Sequence, residues 1–259
     1  METAIRLPKT APTYAPAATE ELLAGRSLLR QAFLETPALS AERDAVIIKA
    51  DIAEPPALLL HRGIAYRSLA LLDGRRSIVD LLLPTDIIGL DHAVMGKSSH
   101  EIVAANTLGY RLLKPARVRE LLRDPRVALR ALALAAEERR RAHRHVTEIT
   151  RLDARGRLAA MLVAVYDRLR REELVSRPTF NLSLTQDQIA DHLGITMVHV
   201  SRTLRRMREE KIVIVDRQVV IILDLDRLRH AATGIPPLDA PEPIETRTLP
   251  SAAIGQELE

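Results

Sequence analysis

The stretch Ser183 to Val215, SLTQDQIADHLGITMVHVSRTLRRMREEKIVIV, limits what the chain can fold into more than any other. Two helical patterns flank Gly194, a residue suited to a tight turn where a side chain would clash. The apolar runs IVIV and VVIIL then follow on either side of Asp216, Arg217 and Gln218. Two helices and a small hairpin in that order read as a winged helix-turn-helix. In that motif one helix braces a second, so that the second can enter a DNA major groove about 12 Å wide. At about 100° per residue, Val200, Thr203, Leu204 and Met207 gather on one side of the second helix, and Val198, Ser201, Arg202 and Arg205 on the other. Ala190 is small where the helices would cross, and Ile189, Leu193 and Ile195 supply apolar contacts there.

These residue types suggest a division of labour in binding double-stranded DNA. Arg202 is the candidate for bidentate reading of a guanine edge, and Val198 for packing on a thymine methyl. Ser201 and His199 suit base or phosphate contacts, Thr196 and Met197 open the same helix, and Arg205 and Arg217 add positive charge on the helix and the wing. Thr185 and Gln186 start the bracing helix, where backbone amides also favour phosphates. The alternative reading is a helical pair whose arginines are solvated and which docks another protein, making the chain an interaction scaffold without specific DNA binding.

The charge distribution favours the first reading. Net charge is only +4, but residues 123–211 hold 19 Lys and Arg against 12 Asp and Glu, leaving 19 against 22 for the rest. A basic segment joined to a slightly acidic one is a footprint for a polyanion, although a solvated helix face carries similar charge. With 47% hydrophobic and 28% charged residues, the 259-residue chain resembles an ordinary globular protein of about two domains. No stretch approaches the roughly 18 apolar residues of a membrane helix, so no membrane partner and a cytoplasmic location are expected. The absence of cysteine excludes disulfides, thiolate zinc sites and a cysteine-ligated iron–sulfur cluster.

Upstream the texture changes twice. From about Ala45 to Lys114, short apolar runs broken by turn residues (ALLLHRG, IAYRSLALL, SIVDLLLPTDIIG) predict antiparallel strands closing into a β-roll or jelly roll. Asp73-Gly74 marks a hairpin with a primed turn, and Gly63 and Gly89 fit bends of the sheet. A short helix is expected over Glu20 to Phe33. From about Arg117 to Arg171 the pattern is helical, with Pro125 suited to a first turn. Ala128, Leu132, Ala135, Arg139, Ala142, Val146 and Ile149 repeat at steps of four and three, a heptad seam interrupted once by Arg139. That stripe either meets a partner helix or packs on the chain's own roll.

Three segments carry a family resemblance: LTQDQIADHLGITMVHVSRTLRRM, the hinge-like LDARGRLA from Leu152 to Ala159, and LLLPTDIIG from Leu81 to Gly89. The chain resembles the cyclic AMP receptor protein and FNR family of bacterial transcription regulators. The likeness implies an α+β fold with an N-terminal cyclic-nucleotide-binding-like β-roll, a long dimerisation helix and a C-terminal winged helix-turn-helix. It also implies a homodimer joined through Leu132, Ala135, Arg139, Ala142, Val146 and Ile149, a palindromic DNA site and RNA polymerase as a partner. The expected division is an arm over 1–20, sensor roll 21–122, dimerisation helix 123–152, DNA-binding domain 153–232 and a tail over 233–259.

The resemblance also shows where this chain departs. The family's recognition glutamate falls on Val198, which accepts no hydrogen bond from cytosine, so the half-site is expected to differ from the usual consensus. The Gly-Glu pair that grips ribose falls on Gly89 and Leu90, the Arg-Ser pair that grips phosphate on Ser99 and His100, and the dimer-helix hydroxyls on Ala142 and His143. With no arginine in that pair, cyclic AMP is not expected as the effector of a pocket built from these residues. Haem would need one axial histidine from His61, His92, His100 or His143; no cofactor is the expectation. His143 and His145 lie about 200° apart on a helix and form no metal pair. No G-x-S-x-G, phosphate-cradling glycine loop or metal spacing appears, and Asp86 in Pro84-Thr85-Asp86 reads as a turn residue, so the chain is not expected to be an enzyme.

Overall fold

A computed structural model describes residues 16–175 and 177–232. The expected tail and most of the expected arm lie outside these residues. Helix α1 (Pro16–Leu34) begins earlier than the Glu20 expected from the sequence, because a proline read as a loop residue opens the helix instead. The strands β1 (Leu39–Ala41), β2 (Val46–Ile48), β3 (Ala57–Arg62), β4 (Ala65–Ala70), β5 (Arg76–Leu82) and β6 (Ile87–Ile88) follow. A short helix α2 (His92–Met95) and strands β7 (Glu101–Ala104) and β8 (Leu108–Leu113) complete the roll. Two four-stranded antiparallel sheets face each other, in the orders β1-β8-β3-β6 and β2-β7-β4-β5.

Strand β3 shows why the sequence reads as an unbroken apolar run there. Leu58 and Leu60 point into the roll against Ile48, Leu82, Ile102 and Leu108. Ala57 and Leu59 point outward, where Leu29 and Phe33 of α1 and Val118 and Val127 cover them. Both faces are dry, so alternation disappears. The β4–β5 hairpin corrects one expectation: the loop is not a two-residue primed turn. Gly74 donates to the carbonyl of Leu71 at 3.0 Å and alone takes a positive φ, 83°. The turn is therefore of the three-residue kind, closed by a left-handed glycine.

Helix α3 (Pro115–Leu121) leads into the long α4 (Pro125–Arg151). Asp124 caps α4 by accepting from the Arg126 amide, and Pro125 takes the first turn, where no amide is needed. Leu152 is extended, and Asp153 caps α5 (Ala154–Arg171) by accepting from the Gly156 amide at 2.7 Å. The chain then forms β9 (Thr179–Asn181), α6 (Gln186–Leu193), α7 (Met197–Glu209), β10 (Val213–Asp216), β11 (Val219–Ile222) and α8 (Leu225–Ala231). The wing is a three-stranded sheet, β10-β11-β9.

One apolar core runs from the roll into the helix-turn-helix. Ile64, Tyr66, Ile78 and Val103 share it with Leu158, Leu162 and Tyr166 of α5 and with Ile189, Val200 and Val220. Along α4, Val127, Ala131 and Leu134 pack toward α1. Further on, Glu138 pairs with Arg67 of β4, and Arg141 with Asp80 of β5 at 3.2 Å. The heptad stripe does not pack on the chain's own roll. Leu132 is 68% exposed and Val146 55%, Ala135, Arg139 and Ala142 are exposed, and Ile149 is half-buried.

Candidate nucleic-acid interface

Helix α6 starts on a capping box: the Gln188 amide donates to Thr185 Oγ1 at 3.1 Å, and the Thr185 amide donates to Gln188 Oε1 at 2.9 Å. The T-x-x-Q spacing from Thr185 to Gln188 is the sequence signature of this cap, a role for Thr185 beyond the phosphate contact expected of it. The hydroxyl is an acceptor within the helix start, while Thr185 and Gln186 remain exposed beside the α6 amides. At the other end, Gly194 takes φ 62°, which lets the chain reverse into α7. Thr196 caps α7 by accepting from the His199 amide at 3.3 Å.

Helix α7 divides as the 100° rule expects. Val200 and Met207 are fully buried and Thr203 and Leu204 half-buried against α6 and α5. Met197, Val198, His199, Ser201, Arg202 and Arg205 are exposed together on the opposite side. Arg205 is tied by its Nε to Glu209 at 2.9 Å, one turn along. Arg202 has no hydrogen-bond or ion-pair partner among the described residues. A guanidinium left free at the centre of an exposed helix face keeps all its donors for an outside acceptor.

The wing tip carries Arg217 at φ 44° and Gln218 at φ 74°. Two left-handed residues in a two-residue loop are the primed turn that matches strand twist, here built without asparagine or glycine and therefore strained. The strain holds an exposed cation at the tip of a rigid hairpin.

Residues outside the sequence-level reading hold these pieces in place. Arg157 of α5 sends Nε to the Leu152 carbonyl at 2.9 Å and Nη1 to the Leu193 carbonyl at 3.0 Å. One side chain thus joins the end of α4 to the turn between α6 and α7. Arg155 grips Glu210 at the end of α7 through two bonds of 2.7 and 2.6 Å. His192 of α6 is buried, lies 3.0 Å by Nδ1 from the Ile78 carbonyl of β5, and stacks on His145 of α4 with ring centroids 4.4 Å apart. Burial, with His145 adjacent, pushes the His192 pKa down to about 4.

The residues drawn from the family's effector pocket are divided. Gly89, Leu90 and Ala142 line one groove with Val94, Met95 and Leu132. Ser99 is exposed and bonded to His100 Nδ1 at 2.8 Å, and His143 is exposed on α4; none of Ser99, His100 or His143 lines that groove. Of the histidines considered as axial ligands, His61 and His143 are exposed, His100 is half-buried and His92 is buried, with its ring against Gly89.

Comparison with known proteins gives the same architecture. Residues 156–231 match the Crp-like helix-turn-helix domain. The chain is 30% identical to the transcriptional activatory protein AadR of Rhodopseudomonas palustris, over 74% of this chain and 79% of that one. It is 29% identical to the transcriptional activator protein FnrL of Cereibacter sphaeroides, over 66% and 70%. The structure of FixK2 from Bradyrhizobium japonicum superposes with a TM-score of 0.68 at 24% identity, covering 78% of this chain and 99% of that one.

Proposed function

The chain belongs to the Crp/Fnr family of DNA-binding transcription regulators, and from that premise we propose that two copies pair along α4 and lay their α7 helices in successive major grooves of a palindromic site. The single observation that carries this is the split of α7 into a buried bracing side and an exposed side centred on the unpartnered Arg202. In this reading Arg202 takes a guanine edge, Val198 contacts a thymine methyl, and Ser201 and His199 take neighbouring base or phosphate oxygens. Thr196 and Met197 sit at the groove edge. Thr185, Gln186, Arg205 and Arg217 meet phosphates and fix register. The outward α4 stripe of Leu132, Ala135, Arg139, Ala142, Val146 and Ile149 supports pairing between copies.

The same reading keeps the division into roll, dimerisation helix and DNA-binding domain, with RNA polymerase as the partner of the DNA-bound dimer in the cytoplasm. It leaves cyclic AMP out: Leu90 is buried and apolar where the family's glutamate would stand, and the position of its arginine is held by exposed Ser99. No cofactor is assigned. Selection of bound sequences from random DNA tests the proposal. The expected result is an inverted repeat, with Arg202→Ala weakening the preferred site by about 10- to 100-fold, roughly 1–3 kcal/mol, while non-specific binding changes little. Enrichment of no sequence, or an unchanged preference in the variant, would refute it.

A further inference from the structure

Where the Leu83–Ile88 turn of the roll meets α4 and α5 there is a cleft whose walls carry more cations than anions. Arg26, Arg130, Arg140, Arg141, Arg168 and Arg171 line it, against four carboxylates, those of Asp86, Glu137, Glu138 and Glu172. The internal pairing uses only part of the guanidinium capacity. Arg168 bonds Asp86 and the Leu81 carbonyl, Arg26 pairs with Glu172 at 2.5 Å, Arg130 bonds Glu137 at 3.2 Å, Arg141 reaches away to Asp80 at 3.2 Å, and Glu138 turns to Arg67 of the roll. The Nε atoms of Arg130 and Arg141 are buried with no hydrogen-bond partner. Buried orphan donors are uncommon because each forgoes water without a replacement. Each of these guanidinium groups also keeps an Nη atom, Nη2 of Arg130 and Nη1 of Arg141, without a partner among the described residues, and the two side chains are 19% and 22% exposed where they line the cleft, so donors remain there for an acceptor from outside.

The rim adds an independent sign. Thr85, a β-branched residue, is held at φ 80° by its amide on the Leu60 carbonyl at 2.7 Å, while Asp86 Oδ2 accepts from the Leu83 amide at 2.7 Å. Strain of this kind persists where surrounding structure enforces it, and it clusters at ligand sites.

We propose that this cleft between the roll, α4 and α5 binds a phosphoryl-type oxyanion through the Arg130 and Arg141 guanidinium groups of α4, with Arg140 of the same helix at the rim. Guanidinium donors match tetrahedral oxyanions in geometry as well as charge. The cleft volume of about 100 Å³ fits a phosphate or pyrophosphate group. It is well below the roughly 300 Å³ at which drug-sized ligands begin to be accommodated, so any sugar or base attached would lie outside. Ser99, His100, Ala142 and His143 do not line this cleft, which separates it from the family's nucleotide position.

Calorimetric titration of the full chain at fixed ionic strength, with separate arms of sodium phosphate, sodium pyrophosphate and adenosine monophosphate, tests the site. The expected result is saturable binding at one site per chain. Tighter binding of pyrophosphate assigns a free oxyanion, and equal binding of all three assigns a terminal phosphoryl group. Arg130→Gln is expected to weaken binding at least tenfold, and substitution of the exposed Arg140, as Arg140→Gln, about threefold. Arg202→Ala, on the DNA face, is expected to leave binding unchanged, so failure here and failure of DNA reading are told apart. Flat titrations in the phosphate and pyrophosphate arms, binding that survives in both cleft variants, or binding lost with Arg202→Ala would overturn the proposal.

Discussion

Arg157 shows how much a single side chain decides in this fold. Its guanidinium satisfies the carbonyls of Leu152 and Leu193, two helix ends that would otherwise present unpaired acceptors at the negative poles of α4 and α6. Arg157→Met keeps the apolar stem and removes the donors. We expect a loss of about 1–3 kcal/mol of stability, the usual cost of orphaned acceptors, read as a lower urea midpoint. Weaker DNA binding is expected with it, because the turn that aims α7 is no longer tied to α4. An unchanged midpoint would show that water replaces the bonds. Arg202 was legible in the sequence because helical periodicity alone assigns its face. Arg157 was not, since the destination of a long flexible side chain depends on an approach between segments 36 residues apart.

At the scale of elements, α4 presents two unlike sides. The inward one is fixed by Val127, Leu134 and the ion pairs of Glu138 and Arg141 with the roll, and the outward one leaves Leu132 and Val146 in solvent. Asp80, behind Arg141, is pushed up by burial, yet Arg141, Arg168 and Arg67 outweigh that and hold its pKa below the usual range. The inward side is thus charged and committed, and the outward side is free to pair. The double variant Leu132→Glu/Val146→Glu is expected to leave the helical signal intact, shift the sedimentation coefficient to that of a monomer and abolish specific DNA binding. A dimer that survives it would move the interface elsewhere. The exposed stripe was legible from its four-and-three steps and the first turn from Pro125, while the break near Asp153 was visible only through the family resemblance of Leu152 to Ala159 and the cap at Asp124 was not read. Helices α2 and α8, of four and seven residues, are too short to show a period. The order of strands depends on long-range pairing, which local patterns do not encode.

For the whole molecule, the junction of β5, α4 and α6 links pH to stability. His192 is buried and neutral, stacked on His145 and bonded to Ile78, with Asp80, Glu148 and Arg144 on the surrounding elements. Its folded pKa of about 4 lies below the ordinary value of 6.5. As pH falls through 6.5 the unfolded chain takes up a proton that the folded chain refuses until about pH 4. Stability is therefore full above 6.5 and declines below it, by at most about 3 kcal/mol from this group. Urea midpoints measured at pH 7 and pH 4.5 are expected to differ less in His192→Phe than in the parent protein; equal differences would remove His192 as the cause. The same junction has a geometric consequence. Asp191 of α6 is held by Arg76 at 2.7 Å and Ser183, just before α6, by Asn106 at 3.0 Å, so the helix that braces α7 is bolted to the roll instead of hanging on a tether. In the proposed dimer, two such bodies would act as calipers with a locked opening. Operators lengthened by two base pairs at the centre should be lost from binding altogether, where a loosely jointed reader would stretch to keep them.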